Sequence, residues 1–263
     1  MPTLGRKQQN LFMFLSALFL TNAIVAEIIG VKIFSLEQTL GFNPAQIPLL
    51  GKQALDFNLS AGVMIWPVVF ITSDLINEYF GKAGVRKISY MAAGFIAYMF
   101  VAITLVTYLT PASFWVGLYA GNAKNPGFDI NMAFSTIFRQ GLGIIIGSLT
   151  AFLIGQLLDV MVFHWLRSKT GSKMIWLRAT GSTLVSQLID SFVVLVIAFK
   201  VFGIWSWDQV IAVSIINYIY KGAVAIGMTP VLYLAHNLID KYLGDEASHE
   251  LQEAANDYGK ELV

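Results

Sequence analysis

The sequence predicts an all-α integral membrane protein with six transmembrane helices, and three observations lead to this prediction. Hydrophobic residues make up 56% of the 263-residue chain and charged residues only 13%, whereas soluble domains carry about 25% charged residues. The mean hydropathy is correspondingly high, at +0.66. Several apolar runs approach or exceed the roughly 20 residues that cross a bilayer core as a helix. We therefore expect the chain to lie in a lipid bilayer.

The six spans are placed where the apolar runs are longest. We expect them at approximately residues 11–34, 60–79, 88–110, 140–165, 179–201 and 209–235. The first run has 24 residues, which exceeds the apolar region of about 7–15 residues in a signal peptide, so we interpret it as a retained first span.

The segments between the spans are polar or rich in turn formers. The loop at 35–59 contains two prolines and is expected on the membrane surface. The loop at 111–132 combines turn formers with aromatic residues, as interfacial segments do. An amphipathic stretch that carries Arg139 precedes the fourth span and is expected to lie along the interface.

Lysine and arginine residues are distributed unevenly between the two ends of the spans. Cytoplasmic loops carry an excess of these residues, so the count predicts that both termini are cytoplasmic. Eleven lie on the side of the termini (Arg6, Lys7, Lys82, Arg86, Lys87, Arg167, Lys169, Lys173, Arg178, Lys241 and Lys260) and four on the other (Lys32, Lys52, Lys124 and Lys200).

Residues 1–241 are expected to form the transmembrane domain, and residues 242–263 an acidic tail that is a solvated helix or a disordered end.

Composition argues against several classes of function. The net charge of +1 offers no basic excess for a nucleic-acid partner. The chain has no cysteine, so it has no disulfide and no thiolate ligand or nucleophile. We expect no metal or cofactor, and interpret His164, His236 and His249 as interfacial or surface residues. An intramembrane enzyme is a further alternative, but the Gly-x-Gly-Asp and His-Glu-x-x-His patterns are missing from the sequence.

Polar and ionisable side chains lie inside the predicted spans. An ionisable residue at the centre of a membrane helix costs about 2.5–3.5 kcal/mol, so its presence indicates function. The ionisable residues and the neutral polar residues beside them are Asn22 and Glu27 in span 1, Asp74 and Glu78 in span 2, Gln156 and Asp159 in span 4, Thr183, Gln187 and Asp190 in span 5, and Asn217 and Lys221 in span 6. Within each span the spacing of three to five residues places most of them on a shared helix face.

Each of these polar groups also has a structural interpretation, because polar side chains hold membrane helices together. Glu78 could form interfacial ion pairs with Lys82 and Arg86. The pair of Gln156 and Asp159 could bond to Arg167 or Arg178.

Gln187 and Asp190 lie near the middle of their span, with Lys221 as a candidate counter-charge. We therefore predict that these three residues bind a solute.

The polar groups and nearby aromatic residues together predict the kind of solute. Carboxylates and amides suit a small, planar solute with several hydrogen-bond donors, such as a purine-like base. Trp66, Phe70, Tyr79 or Tyr218 could stack on its plane. An inorganic ion fits less well, because the sequence has no dense cluster of oxygen ligands and no repeated carbonyl filter.

A short pattern recurs in the chain. GQLLD at 155–159 and SQLID at 186–190 share the spacing Gln-x-x-Asp, and SDLIN at 73–77 is a looser relative. The recurrence could reflect duplicated helical units or chance, because five-residue matches arise easily in apolar sequence.

Three segments resemble the queuosine precursor transporter family, also called vitamin uptake transporters. WLRATGSTLVSQLIDSFVVLVIAF at 176–199 resembles that family's signature of Trp-Leu-Arg, Gly-Ser-Thr-Leu, Gln and Asp before an apolar run. FITSDLINEYFGKAGVRK at 70–87 resembles its Asp, Glu-x-Tyr-Gly and basic-loop pattern, although Phe80 separates the tyrosine from the glycine. IGQLLDVMVFHWLR at 154–167 also fits.

The resemblance implies an inner-membrane carrier that imports 7-deazaguanine precursors of queuosine, such as preQ0 or preQ1, for tRNA modification. It also implies a six-helix fold similar to the substrate-binding subunits of energy-coupling-factor importers. Carried over by position, the motif residues are Asp74, Glu78, Arg178, Ser182, Gln187 and Asp190, with Lys221 in the last span and Asn22 in the first. The polar residues and the resemblance together predict ten substrate-binding residues: Asn22, Glu27, Asp74, Glu78, Arg178, Thr183, Gln187, Asp190, Asn217 and Lys221.

Mechanism and assembly stay open at this point. The protein could be a secondary transporter or facilitator, with proton coupling through a buried carboxylate such as Asp190 or Glu27. It could instead be a substrate-binding subunit that docks on an energy-coupling module, although ALFLTNAIVAEIIG in span 1 lacks the Ala-x-x-x-Ala spacing. The small residues Gly141, Gly143 and Gly147 could pack helices within one protomer or in a homodimer.

Overall fold

The computed structural model describes residues 5–49, 53–120, 127–139, 142–170, 174–201 and 205–257. Its helices are α1 Arg6–Ile29, α2 Leu36–Thr39, α3 Trp66–Thr107, α4 Ser113–Tyr119, α5 Ile130–Phe138, α6 Leu142–Thr170, α7 Ile175–Leu195, α8 Trp207–Gly227, α9 Thr229–Leu243 and α10 Asp245–Asp257. The strands are β1 Ile33–Ser35, β2 Ile47–Leu49, β3 Gln53–Leu55 and β4 Asn58–Ser60. A 3-10 turn at Ala61–Met64 precedes α3, and a π-helical turn at Val196–Val201 continues α7.

Among these residues, five helical segments are long and apolar enough to cross a membrane, which confirms the predicted helical membrane fold. They are Arg6–Ile29, Trp66–Thr107, Ile130–Thr170, Ile175–Val201 and Trp207–Gly227. The third of these comprises α5 and α6, and residues 140–141 between the two helices lie outside the described part of the chain. The count of six is not reproduced, because the predicted second and third spans form one 42-residue element, α3. Gly81 interrupts this element with φ 66° and ψ −173°.

The beginning and the end of α3 lie at the same end of the helix bundle, and the kink at Gly81 lies at the opposite end. Gly62, just before α3, lies against Ala26 at the end of α1. At the Gly81 kink, Phe80 contacts Phe12 near the start of α1, with 4.9 Å between ring centroids. Thr107, at the end of α3, accepts a 3.0 Å hydrogen bond from Arg139, which precedes α6.

We call the end of the bundle that holds Gly30, Gly62 and Thr107 the open end. The end that holds Phe12, Gly81 and Arg167 is called the closed end.

The core lies where α1, α3, α6 and α7 meet. Phe19 and Ala23 of α1, Ile96 of α3 and Phe163 of α6 are fully buried there. A Cβ atom on Gly147 of α6 would lie 3.0 Å from the Val194 carbonyl oxygen, so this glycine permits close helix packing within the chain. Gly141 lies outside the described residues, and the homodimer stays a prediction.

The last predicted span ends earlier than expected. Residues 209–235 were predicted as one span, but α8 ends at Gly227 and α9 begins at Thr229. Pro230 occupies the first turn of α9, where its missing N–H costs no hydrogen bond. The residues beyond Gly227 therefore belong to a separate amphipathic helix.

The acidic tail is helical as far as Asp257, and it is docked on the bundle rather than solvated on all sides. Leu251 and Ala255 of α10 are buried, and α10 packs against α3. His249 is exposed and lies 3.6 Å from Glu253, as expected for a surface residue. The predicted boundary between residues 241 and 242 stays a prediction, and residues 258–263 lie outside the described part of the chain.

The first loop folds into two short antiparallel pairs, β1 with β4 and β2 with β3. Glu37 ties this loop together, because its carboxylate accepts hydrogen bonds from the Phe57 N–H at 2.7 Å and the Ser35 hydroxyl at 3.1 Å. Burial acts to raise the pKa of Glu37, but hydrogen bonds from Phe57, Ala45 and Ser35 bring it below its ordinary value. In the later loop, residues 121–126 lie outside the described residues.

Candidate functional site

A cavity of about 1280 Å³ runs from the open end into the middle of the bundle. Exposed residues such as Lys32 and Asn58 line its mouth, and Gln156 and Asp159 line its deepest described part. Small-molecule sites commonly measure about 300–1,000 Å³. The cavity therefore has room for a small solute together with water.

The floor of the cavity is made of amide, hydroxyl and carboxylate groups from α6 and α7. Ser186 donates a 3.4 Å hydrogen bond to Asp159 Oδ1, and Ser73 of α3 donates one of 3.1 Å to Gln156 Oε1. Gln187 Oε1 is buried and has no hydrogen-bond partner among the residues that the structure describes. Such an acceptor can take a hydrogen bond from a bound solute, since buried polar groups are almost always paired.

An ion pair forms part of the cavity wall. Lys221 Nζ of α8 lies 2.5 Å from Asp190 Oδ2 of α7. Both residues line the cavity, and the pair confirms the predicted counter-charge for Asp190. Asn217 lies one turn before Lys221 and also lines the cavity, with its amide donating to the Val213 carbonyl at 3.0 Å.

Glu27 lines the cavity nearer its mouth. Both of its carboxylate oxygens lie 2.6 Å from the Ser148 hydroxyl, which comes from α6. Lys32, Asp56 and Arg139 line the same part of the cavity. A solute that enters from the open end therefore meets charged groups of both signs before it reaches the floor.

Aromatic rings form one apolar side of the cavity. Trp66 and Phe70 stack with 5.8 Å between centroids and 19° between planes, and Phe152 lies 5.9 Å from Trp66. Near the mouth, Phe199 and Trp205 stack with 4.1 Å between centroids.

The other two aromatic residues that we predicted lie elsewhere. Tyr79 is near the closed end, where its hydroxyl donates to Asp240 at 2.7 Å. Tyr218 is not among the described residues that line the cavity.

A buried ion-pair cluster closes the other end of the bundle. Arg178 Nη2 lies 2.9 Å from both carboxylate oxygens of Glu78. Arg167 Nη1 lies 3.6 Å from Glu78 Oε2 and donates to the Glu78 carbonyl at 3.1 Å, while its Nη2 donates to the Gln252 carbonyl of α10 at 2.7 Å. Glu78 therefore pairs with these two arginines and not with Lys82 and Arg86, as one interpretation of the sequence suggested.

The structure brings half of the predicted binding residues together at the cavity. Those that line it are Glu27, Gln187, Asp190, Asn217 and Lys221. The others lie elsewhere: Asn22 donates to the Leu18 carbonyl of its own helix, Thr183 lines a smaller neighbouring pocket, and Asp74, Glu78 and Arg178 are buried towards the closed end. For all ten residues, contact with a substrate stays a prediction.

For Gln156 and Asp159, sequence reasoning left open a structural alternative, bonding to Arg167 or Arg178, that the contacts do not support. Both line the cavity floor, and the arginines proposed as their partners bind Glu78. The signal that could have identified them is the recurring Gln-x-x-Asp spacing, because the same spacing on α7 also faces the cavity. No group of three histidine, aspartate or glutamate side chains in the described ranges is placed to hold a metal ion.

Membrane-length helices around a polar cavity define a multi-pass membrane protein of the transporter class. Residues 60–235 match the model of the family described as "Putative vitamin uptake transporter". The chain belongs to this family, which confirms the resemblance seen in its motifs and indicates that it is not an enzyme.

Relatives in three bacteria support this assignment. A Bacillus subtilis protein named "Probable queuosine precursor transporter" is 32% identical over 187 residues, which are 70% of this chain and 75% of that protein. The Escherichia coli "Queuosine precursor transporter" is 27% identical over 198 residues, 73% of this chain and 80% of that protein. A Haemophilus influenzae relative, also named "Probable queuosine precursor transporter", is 30% identical over 63% of each chain. No solved structure matches the chain.

Proposed function

We propose that this protein imports queuosine precursors, 7-deazaguanine bases such as preQ0 or preQ1, which the cell then uses for tRNA modification. The observation that carries the proposal is the polar cavity floor, which combines amides and carboxylates beside an aromatic wall. The names of the relatives supply the solute class, and the cavity supplies groups that suit it.

The floor chemistry fits the polar edge of a guanine-like base. Such a base presents N–H donors beside a carbonyl acceptor on one edge. The Asp159 carboxylate and Gln187 Oε1 can accept from the donors, and the Gln156 amide can donate to the carbonyl. Trp66 and Phe70 offer apolar ring surface beside the floor, against which the plane of the base can pack.

The chain is proposed to cross the inner membrane six times, with both termini in the cytoplasm. At 1.5 Å per residue, the 42 residues of α3 would extend about 63 Å, roughly twice the thickness of a bilayer core. The kink at Gly81 and the return of Thr107 to the open end support two crossings by α3. The excess of lysine and arginine on the side of the termini supports the orientation, which places the open end outside the cytoplasm.

Uptake in living cells tests the proposal. The chain is expressed in bacteria that lack their own transporter and cannot make queuosine precursors but can still use them. Queuosine in tRNA is then measured with preQ0, preQ1 or queuine supplied at low concentration. We expect preQ0 or preQ1 to restore queuosine, with an empty vector as the control. If none of these compounds restores it although the protein reaches the membrane, the proposed function is wrong.

A further inference from the structure

Asp74 and Asn77 are buried polar side chains that lie outside the cavity. They stand three residues apart on α3, on one helix face, and only 5% and 0% of their surfaces are exposed. Asp74 Oδ1 and both polar atoms of the Asn77 side chain form no hydrogen bond with any residue that the structure describes. Buried polar groups without a hydrogen bond are rare because each one raises the free energy of the folded state. We therefore expect these atoms to bind a partner in another state of the protein.

The two residues lie between the cavity floor and the closed end. Ser73, next to Asp74, bonds to Gln156 of the floor. The carboxylates of Asp159 on the floor and Glu78 in the ion-pair cluster both act electrostatically on Asp74. Asp74 therefore connects the deepest part of the cavity with the cluster that closes the bundle.

The chemistry of Asp74 and Asn77 repeats that of the cavity. Together they form a pair of one carboxylate and one carboxamide, three residues apart, as Gln156 and Asp159 do on α6 and Gln187 and Asp190 do on α7. The pairs on α6 and α7 line the cavity, whereas the pair on α3 is covered.

The ion-pair cluster and α10 lie between Asp74 and Asn77 and the surface of the closed end. Arg167 joins Glu78 of α3 to the Gln252 carbonyl of α10. At the kink, a Cβ atom on Gly81 would lie 2.7 Å from the Ala255 carbonyl oxygen, so α10 sits directly on the backbone of α3.

We propose that Asp74 and Asn77 form a second binding station for the transported base, which becomes accessible when the closed end opens. This inference rests on the proposed function, because the base is the ligand that the two side chains would meet. The Asp74 carboxylate accepts from the donors of the base, and the Asn77 amide can both donate and accept. Opening requires α10 to leave the Gly81 kink and the Arg178–Glu78 pair to separate.

Cysteine labelling tests this station without any solute. The natural chain has no cysteine, so an introduced cysteine is its only thiol. Asn77→Cys and Asp74→Cys are treated with a charged, membrane-impermeant methanethiosulfonate on each face of oriented vesicles. Ala92→Cys, a fully buried position on the same helix, is the matched negative control. Thr136→Cys, at an exposed position that lines the cavity, marks the open end.

We expect reagent on the face of the closed end to modify Asn77→Cys and Asp74→Cys, and reagent on the opposite face to modify Thr136→Cys. Adding Glu78→Gln should speed modification of the two α3 cysteines by about tenfold or more, because removing one charge of a buried pair favours its opening. Ala92→Cys should stay unmodified in both backgrounds. If the α3 cysteines react no faster than Ala92→Cys with and without Glu78→Gln, or react only from the open end, the station does not exist.

A transport measurement covers the case in which the cysteine variants do not fold. Asn77→Leu replaces the amide with an apolar side chain of similar size. We expect it to leave binding of the base at the open cavity intact but to slow uptake by about tenfold. That factor corresponds to the loss of one hydrogen bond to a charged or strongly polar partner. Uptake at the rate of the unmodified protein would overturn the inference. Failure of the proposed function looks different, because then the unmodified protein itself would not take up the base.

Discussion

Asp190 and Lys221 form an ion pair on the cavity wall, where 18% and 14% of their side-chain surfaces are exposed. The spacing of polar residues on α7 predicted that Asp190 faces the bundle interior, and a lysine in the last span was the natural partner. The partners of Glu78 could not be predicted in this way, because Arg178 lies 100 residues further along the chain. Helical periodicity shows which residues share a face, but it carries no information on which faces meet.

Asp190→Asn should reduce uptake of the base by about tenfold or more. The substitution keeps the size of the side chain but removes the charge that balances Lys221, and a hydrogen bond to a charged group is worth about 1.5–3 kcal/mol. Uptake is measured at matched protein levels in the membrane. Asp208→Asn, at an exposed position at the start of α8, is the control and should transport normally. Unchanged uptake by Asp190→Asn would show that the ion pair has no part in transport.

Gln187→Leu should separate stability from function. Gln187 Oε1 is a buried acceptor with no partner in the described residues. An apolar side chain of similar size should therefore leave the free energy of unfolding unchanged or raise it by up to about 1 kcal/mol, and the Tm should stay the same or rise accordingly. Uptake should nevertheless fall, because the base loses an acceptor on the floor. Tm in detergent and uptake in vesicles are compared on the same preparation. A lower Tm together with normal uptake would indicate a structural role for Gln187.

At the scale of elements, the apolar runs located the membrane helices because the length of such a run reflects the thickness of the bilayer. They placed a connection at residues 80–87, where the kink at Gly81 lies, but they did not locate the break between α8 and α9 or the docking of α10. Gly81 illustrates the reason: its left-handed φ and its contact with Ala255 depend on a helix that follows more than 160 residues later.

Gly81→Ala should destabilise the protein and release α10. An alanine at φ 66° and ψ −173° costs about 1–3 kcal/mol, and its Cβ would also collide with the Ala255 carbonyl oxygen. A lower Tm and faster cleavage of α10 by a glutamate-specific protease are the expected results. Gly94→Ala on the same helix is the control, since a Cβ there meets no described atom within 4 Å. Equal protease resistance in the two variants would contradict the docking of α10 on the kink.

The first loop should loosen in acid because of Glu37. The pKa of Glu37 is lower in the folded loop than its ordinary value of 4.5, so its contribution to stability is complete above the unfolded pKa. That contribution is lost as the pH falls through the folded pKa. Hydrogen-exchange protection of β1 and β4, corrected for intrinsic rates, should therefore fall in this acidic range.

Glu37→Gln serves as the control for that titration. It cannot ionise, so its loop should be less protected at neutral pH and should lack the acidic transition. The same pH profile in both proteins would assign the transition to a different group.

At the scale of the whole molecule, the cavity is open at one end and an ion-pair cluster closes the other, as expected for one state of a carrier that exposes its site to each side in turn. The sequence predicted the membrane fold and the family, and half of the binding residues that it predicted line the cavity. The sequence also left open whether Gln156 and Asp159 bond to Arg167 or Arg178, because it does not show that both arginines pair with Glu78.

The central claim is that the cavity carries a deazaguanine base across the membrane. Counterflow of labelled preQ1 or preQ0 into liposomes that contain the purified protein tests it most directly, because counterflow needs no external energy source. We predict saturable accumulation that unlabelled base competes away and that Asp159→Asn lowers by about tenfold. Accumulation of both bases at the rate of protein-free liposomes would contradict the claim.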